Sequence, residues 1–219
     1  MYIKSLLIDS RNPDAQLQFY TQILGFNRVE ETSMPGVEIG ESTLAFRARL
    51  NHPAYHFAFQ IKTGHLEQTI DYLQSLNIPI LLNKGEPITY FENGRSIYFY
   101  DAYNNIAEFI ERPLVAPKAI ADFNPLEVVR INEIGCPVAN PSEFAAELMK
   151  STDINPIAQD SFTDVFCWVG DHNGVVIVTK QGRPWLPTDT KGAPISFELE
   201  YGLDSTSWST LSIGEGRMV

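Results

Sequence analysis

The chain has 219 residues, 44% hydrophobic and 20% charged, which is ordinary globular usage and excludes a coiled coil or a wholly disordered polymer. Acidic residues outnumber basic ones, 27 to 16, and the formal net charge of -11 repels nucleic acid and anionic membrane. Small molecules, metal cations and other proteins remain as partners. No apolar run approaches the roughly 20 residues of a membrane helix, and the N-terminal run reaches Asp9 and Arg11 too soon for a secretory signal. Cys136 and Cys167 are the only cysteines, and in a chain without an export signal they are expected to be reduced and buried. The predicted compartment is the cytoplasm.

Three segments open alike: a β-rich run, a turn, then a stretch of helical periodicity. The runs are Ile3–Asp9, Tyr55–Ile61 and Ile131–Val138, and the helices are predicted to start near Pro13, Gly64 and Pro141. Asn12-Pro13 and Asn140-Pro141 are strong helix openings, because the Asn side chain satisfies free amides and proline has none to satisfy. Leu17, Tyr20 and Leu24 mark the buried stripe of the first helix, Leu66, Ile70 and Leu73 the second, and Phe144 and Leu148 the third. Ser5, His56 and Glu133 each lie eight residues before a predicted helix start.

After the first helix, residues 26–50 read as three short strands. After the second, strands are predicted near 78–82 and 87–92, followed by a hairpin over 96–111 that turns at Asp101–Asn105. A further hairpin over 166–178 turns at His172-Asn-Gly174. The repeating unit is therefore βαβββ, complete twice and partial a third time. Residues 114–127 read as a linker, 128–204 as the third module with an extra strand at 194–200, and 205–219 as a loosely held tail.

Gln16-Leu-Gln-Phe-Tyr-Thr-Gln-Ile-Leu-Gly-Phe26 and Ser96-Ile-Tyr-Phe-Tyr-Asp-Ala-Tyr-Asn-Asn-Ile-Ala-Glu-Phe-Ile110 resemble the first helix and the closing hairpin of the vicinal oxygen chelate superfamily, which groups glyoxalases, bleomycin-resistance proteins and extradiol dioxygenases. Ala102 and Asn104 stand where that hairpin usually carries proline and glycine. The resemblance implies an α+β fold in which two βαβββ modules, here expected to be those of residues 1–113, pair into a curved, half-open sheet around a cup. It also implies metal ligands from the first and last strands of each module, and a divalent Fe, Mn, Ni or Zn ion as cofactor.

Strand parity supports part of this independently. His56, Ala58 and Gln60 share one face of their strand, while Phe57, Phe59 and Ile61 share the other, which should pack on the helix. His56 and Glu108 stand at the superfamily's ligand positions in the second module, with Glu108 either a ligand or a proton carrier. A carboxylate between Ile106 and Ile110 is costly to bury unless partnered. Ser5 and Thr43-Leu-Ala-Phe46 leave the first module without ligands, and Ile177 occupies the place of Glu108 in the third. Glu133 is expected to be a structural or rim residue, His52 an outside candidate for a ligand, and His65 and His172 solvent-exposed.

Two functions are expected from this pattern. One is a metal-dependent enzyme of glyoxalase, lyase or dioxygenase type acting on a small oxygenated substrate, where a divalent ion acts as a Lewis acid. The other is a non-catalytic protein that sequesters a small molecule, as the bleomycin-resistance branch does. A third module without a partner further predicts either pairing with the strand at 194–200 or a homodimer.

Overall fold

The computed structural model describes residues 1–29, 34–116, 118, 124, 127–157 and 162–219. In chain order the first module is β1 (Tyr2–Ser10), α1 (Pro13–Gln18, widening into a π turn over Phe19–Ile23), β2 (Gly36–Ile39) and β3 (Ser42–Ala48). The second is β4 (His56–Ile61), α2 (Leu66–Ser75), β5 (Thr89–Phe91), β6 (Gly94–Tyr100) and β7 (Ile106–Glu111). The third is β8 (Val128–Val138), α3 (Pro141–Thr152), β9 (Phe166–Asp171) and β10 (Gly174–Lys180). Three strands close the chain: β11 (Phe197–Gly202), β12 (Ser209–Gly214) and β13 (Arg217–Met218).

Local chemistry starts the helices where the sequence says. Asn12 accepts a hydrogen bond from the Ala15 amide at 3.1 Å, with Pro13 at the first helical position. Helix α2 is capped from a distance: the Glu111 carboxylate on β7 accepts from the Gly64, His65 and Leu66 amides at 2.8–2.9 Å. That satisfies donors a helix start cannot satisfy internally, and its partner Arg95 donates to the same carboxylate at 2.7 Å. His65 is therefore buried at this junction, not solvent-exposed as its turn position suggested. In the 101–105 turn Asn104 takes φ 59°, so it does the conformational work of the glycine it replaces.

The sheets pair differently from the sequential expectation. One sheet has the order β5-β6-β7-β4-β8-β10-β9, the other β13-β12-β11-β1-β3-β2. Module two joins module three through antiparallel β4 and β8, and module one joins the C-terminal strands through antiparallel β1 and β11. The cup expected from residues 1–113 is thus built from residues 55–186 instead. The physical reason is that β1 and β4 each offer one free edge after their own modules are complete, and local sequence does not choose the partner. The third module is therefore not left unpartnered, and the strand at 194–200 serves β1 rather than the third module.

Three smaller expectations also change. The tail beyond Ser205 forms β12 and β13, with Leu211 and Ile213 buried, Thr210 and Ser212 on the opposite face and Ser209 exposed at the strand end. Residues 26–50 hold two strands plus a single bridge from Arg28 to Val37, with 30–33 outside the described residues. The segment 78–82 contributes only a Leu81–Tyr98 bridge. Most of the 114–127 linker lies outside the described residues.

One apolar core fills the space between the sheets and the three helices, with Tyr20, Phe46, Phe57, Phe59 and Phe197 fully enclosed. Phe57 and Phe59 lie in it as parity requires, which turns His56 to the opposite, concave face of the seven-stranded sheet. Cys136 and Cys167 are buried free thiols. Among the described residues no helix is long and apolar enough to cross a membrane.

Candidate functional site

The concave face of the seven-stranded sheet encloses a cavity of about 210 Å³. His56 from β4, Glu108 from β7 and Glu133 from β8 enter it side by side, because Ala58 pairs with both Glu108 and Glu133 across neighbouring strands. One ligand atom from each residue lies within 4.8 Å of the other two. His56 Nε2 is 3.5 Å from Glu108 Oε2. Ligands on one transition ion, with bonds of about 2.0–2.2 Å, stand roughly 3–4 Å apart, so this set could close on a cation with small side-chain shifts.

The tautomer of His56 suits that role. Its Nδ1 lies 3.0 Å from the Ile106 carbonyl oxygen, which can only accept, so Nδ1 carries the proton and the Nε2 lone pair faces Glu108. Burial pushes the His56 pKa down, with Glu133 opposing, so the ring is held neutral. Glu108 is pushed well above the usual carboxylate range, first by burial and then by the neighbouring charge of Glu133. A lone pair and a carboxylate facing each other in a dry pocket call for a cation between them, either a proton or a metal ion. Residues and group fit.

Glu133 is the surprise. It is 4% exposed and ion-paired with Arg112, itself 1% exposed, whose Nε donates to Asn132 Oδ1 at 2.7 Å. Its position eight residues before Pro141 matches that of His56 before Gly64, so the spacing already marked it. What the sequence lacked was the pairing of β4 with β8 that brings it into the same cup. The opposite corner, Ile177, is apolar as expected, which leaves three side-chain ligands where four positions exist. His52 is not among them; its Nδ1 lies against the Pro53 carbonyl and its ring against Tyr55. His172 sits partly buried in the β9–β10 turn.

Aromatic rings make the walls. Trp185 packs on the His56 imidazole with centroids 4.9 Å apart, and Tyr98 lies 6.2 Å away on the other side. Tyr90, Phe91, Phe166 and Trp168 complete the lining, with Arg183 at the rim over the Phe166 ring. Trp185 reaches the sheet because position 135 has no side chain: a Cβ on Gly135 would fall 2.5 Å from the indole. Arg112 carries no periodic or motif signal that sequence reading could have used.

No protein-family model matches the sequence, and no curated protein does. Solved structures do. A dioxygenase candidate from Bacillus subtilis superposes with a TM-score of 0.58 at 13% identity over 82% of this chain, which spans 63% of that structure's length. A lactoylglutathione lyase from Agrobacterium tumefaciens matches 52% of this chain and 95% of its own at 20% identity and a TM-score of 0.42. A fosfomycin resistance protein from Mesorhizobium loti matches 51% and 91% at 22% identity and a TM-score of 0.38. Strand–helix modules paired edge to edge through β4 and β8 and the likeness to the first of these structures agree: the chain has the α+β fold of the vicinal oxygen chelate superfamily.

Proposed function

We propose that the protein is a metal-dependent enzyme of glyoxalase or dioxygenase type, acting on a small oxygenated molecule in the cup between modules two and three. The carrying observation is the convergence of a neutral imidazole and two buried carboxylates on one point. Such a donor set suits divalent Fe, Mn, Ni or Zn. When bound, the ion supplies Lewis acidity to two adjacent substrate oxygens.

The chain's own residues supply the rest. Arg112, itself held by Asn132, fixes the Glu133 carboxylate, and the Ile106 carbonyl fixes the imidazole, so two ligands are oriented before anything binds. Glu108 is bonded to no cationic side chain among the described residues, and burial raises its pKa, which favours a carboxyl that holds a proton and can donate it. The aromatic walls exclude water and select a flat ligand.

One observation favours a second reading, ligand sequestration without turnover: the Arg112–Glu133 ion pair already neutralises one carboxylate without a metal. Metal analysis of untagged protein purified without chelator separates the two. About one equivalent of transition metal, lost in His56→Ala and Glu108→Ala, supports the enzyme. Metal-free protein that no added divalent ion stabilises against heating refutes it. A homodimer and a cytoplasmic location remain proposals; the sequence-based motive for a dimer, an unpaired third module, is removed by the β4–β8 pairing.

A further inference from the structure

Three buried side-chain donors of residues that line the cup, Arg112 Nη1, Trp168 Nε1 and Trp185 Nε1, have no acceptor among the described residues. Leaving such groups unmatched costs stability in an ordinary core, so their presence on one cavity is informative. Arg112 is the most constrained of them. Asn132 holds its Nε, Glu133 holds its Nη2, and the rings of Phe91 and Trp168 lie 5.6 and 5.8 Å from its Cζ. The guanidinium is thereby locked in place with one amino group uncommitted.

We propose that this uncommitted group, assisted by the Trp185 indole N–H, is a carboxylate-binding subsite, so that the substrate is a flat, single-ring or similarly small molecule bearing a carboxylate. This names the substrate class of the site proposed above and rests on that reading only for where the substrate's reacting oxygens go. Charge supports it. The carboxylates Glu108 and Glu133 are matched by the guanidinium groups of Arg112 and Arg183 around the cavity, so a divalent ion would leave the cup positive and suited to an anion. Shape supports it too, because about 210 Å³ between aromatic walls admits one ring and excludes a nucleotide or peptide. A desolvated guanidinium recognises a carboxylate strongly through charge-assisted hydrogen bonds. A cationic ligand would meet two arginines here.

The test titrates chelator-treated protein with 3,4-dihydroxybenzoate and with catechol, which differ only by the carboxylate, reading the fluorescence of Trp168 and Trp185. The expected result is at least about tenfold tighter binding of dihydroxybenzoate. That preference should vanish in Arg112→Lys and shrink in Trp185→Phe, which keeps an aromatic wall while removing the N–H donor together with the pyrrole ring that carries it. Trp185→Phe keeps the test available where Arg112→Lys fails to fold. Equal affinities in the parent protein, or a preference undiminished in every variant that folds, overturn the proposal. Metal content measured in parallel separates the two readings. A carboxylate preference in a protein that takes up no metal rejects the metal centre alone, and metal uptake without the preference rejects the subsite alone.

Discussion

Gly135→Ala tests how the cup is assembled. The new Cβ would lie 2.5 Å from Trp185 Cη2, 2.7 Å from Cζ2 and 3.3 Å from the His56 carbonyl oxygen. Ordinary contact needs about 3.5–4.0 Å, so the indole must retreat by roughly 1 Å while the backbone oxygen stays. Trp185 is 4% exposed and packed on His56, so the retreat opens contacts on its far side as well. Overpacking of this kind costs about 1–3 kcal/mol. In a chain of 219 residues, each kcal/mol lowers Tm by roughly 2–4 °C. Calorimetry on Gly135→Ala, Trp185→Leu and the double variant gives the coupling directly. The expected outcome is a substantial loss for Gly135→Ala in the parent and a much smaller one in the Trp185→Leu background. An equal loss in both backgrounds would mean that the indole is not seated against position 135, and the account of the cup floor would fail.

The two cup carboxylates should respond oppositely to neutralisation. Glu133→Gln strands a buried guanidinium and should cost about 3–5 kcal/mol by urea titration, whereas Glu108→Gln should leave metal-free protein as stable or more stable at pH 8 while abolishing stabilisation by added metal. Because burial raises the folded pKa of Glu108, metal-free protein should lose stability as pH climbs from the ordinary carboxylate range through that raised value. His56, with its pKa lowered, should contribute a separate loss as pH falls below about 6.5. Thermal melts across pH 4–9 should show both trends, and Glu108→Gln should remove only the loss that accompanies rising pH. Glu111→Ala removes the acceptor shared by three α2 amides and Arg95, and should cost about 2–4 kcal/mol; amide exchange should localise that loss to the first turn of α2.

What could be read from the sequence was local. Asn12-Pro13, the 96–111 hairpin and the alternation His56/Phe57/Ala58/Phe59 each encode their conformation within a few residues, and the structure follows them. The approach of His56 to Glu108 was equally accessible, because both belong to one module and β4 and β7 are neighbours. Partner choice between modules was not legible, since it depends on which free edge meets which across more than 70 residues. Glu133 was not placed beside His56 and Glu108 for that reason alone: its spacing pointed to the His56 position, but only the β4–β8 junction gives that position a common hollow. Strand β12 was missed on other grounds. Half of its side chains face outward and are small and polar, so an edge strand reads as a tail.

The order β11-β1-β3 has a consequence for how the protein can be made. Strand β1 is synthesised first, yet the neighbour that covers its outer edge, β11, emerges nearly 190 residues later. Until then that edge is an unsatisfied ladder open to any extended chain. The portion carrying the cup, by contrast, draws all its strands from the uninterrupted stretch between β4 and β10, so it can mature while the outer sheet still waits for its last members. A released chain truncated just before residue 197 should therefore have its ligand pocket built while its first strand is still exposed.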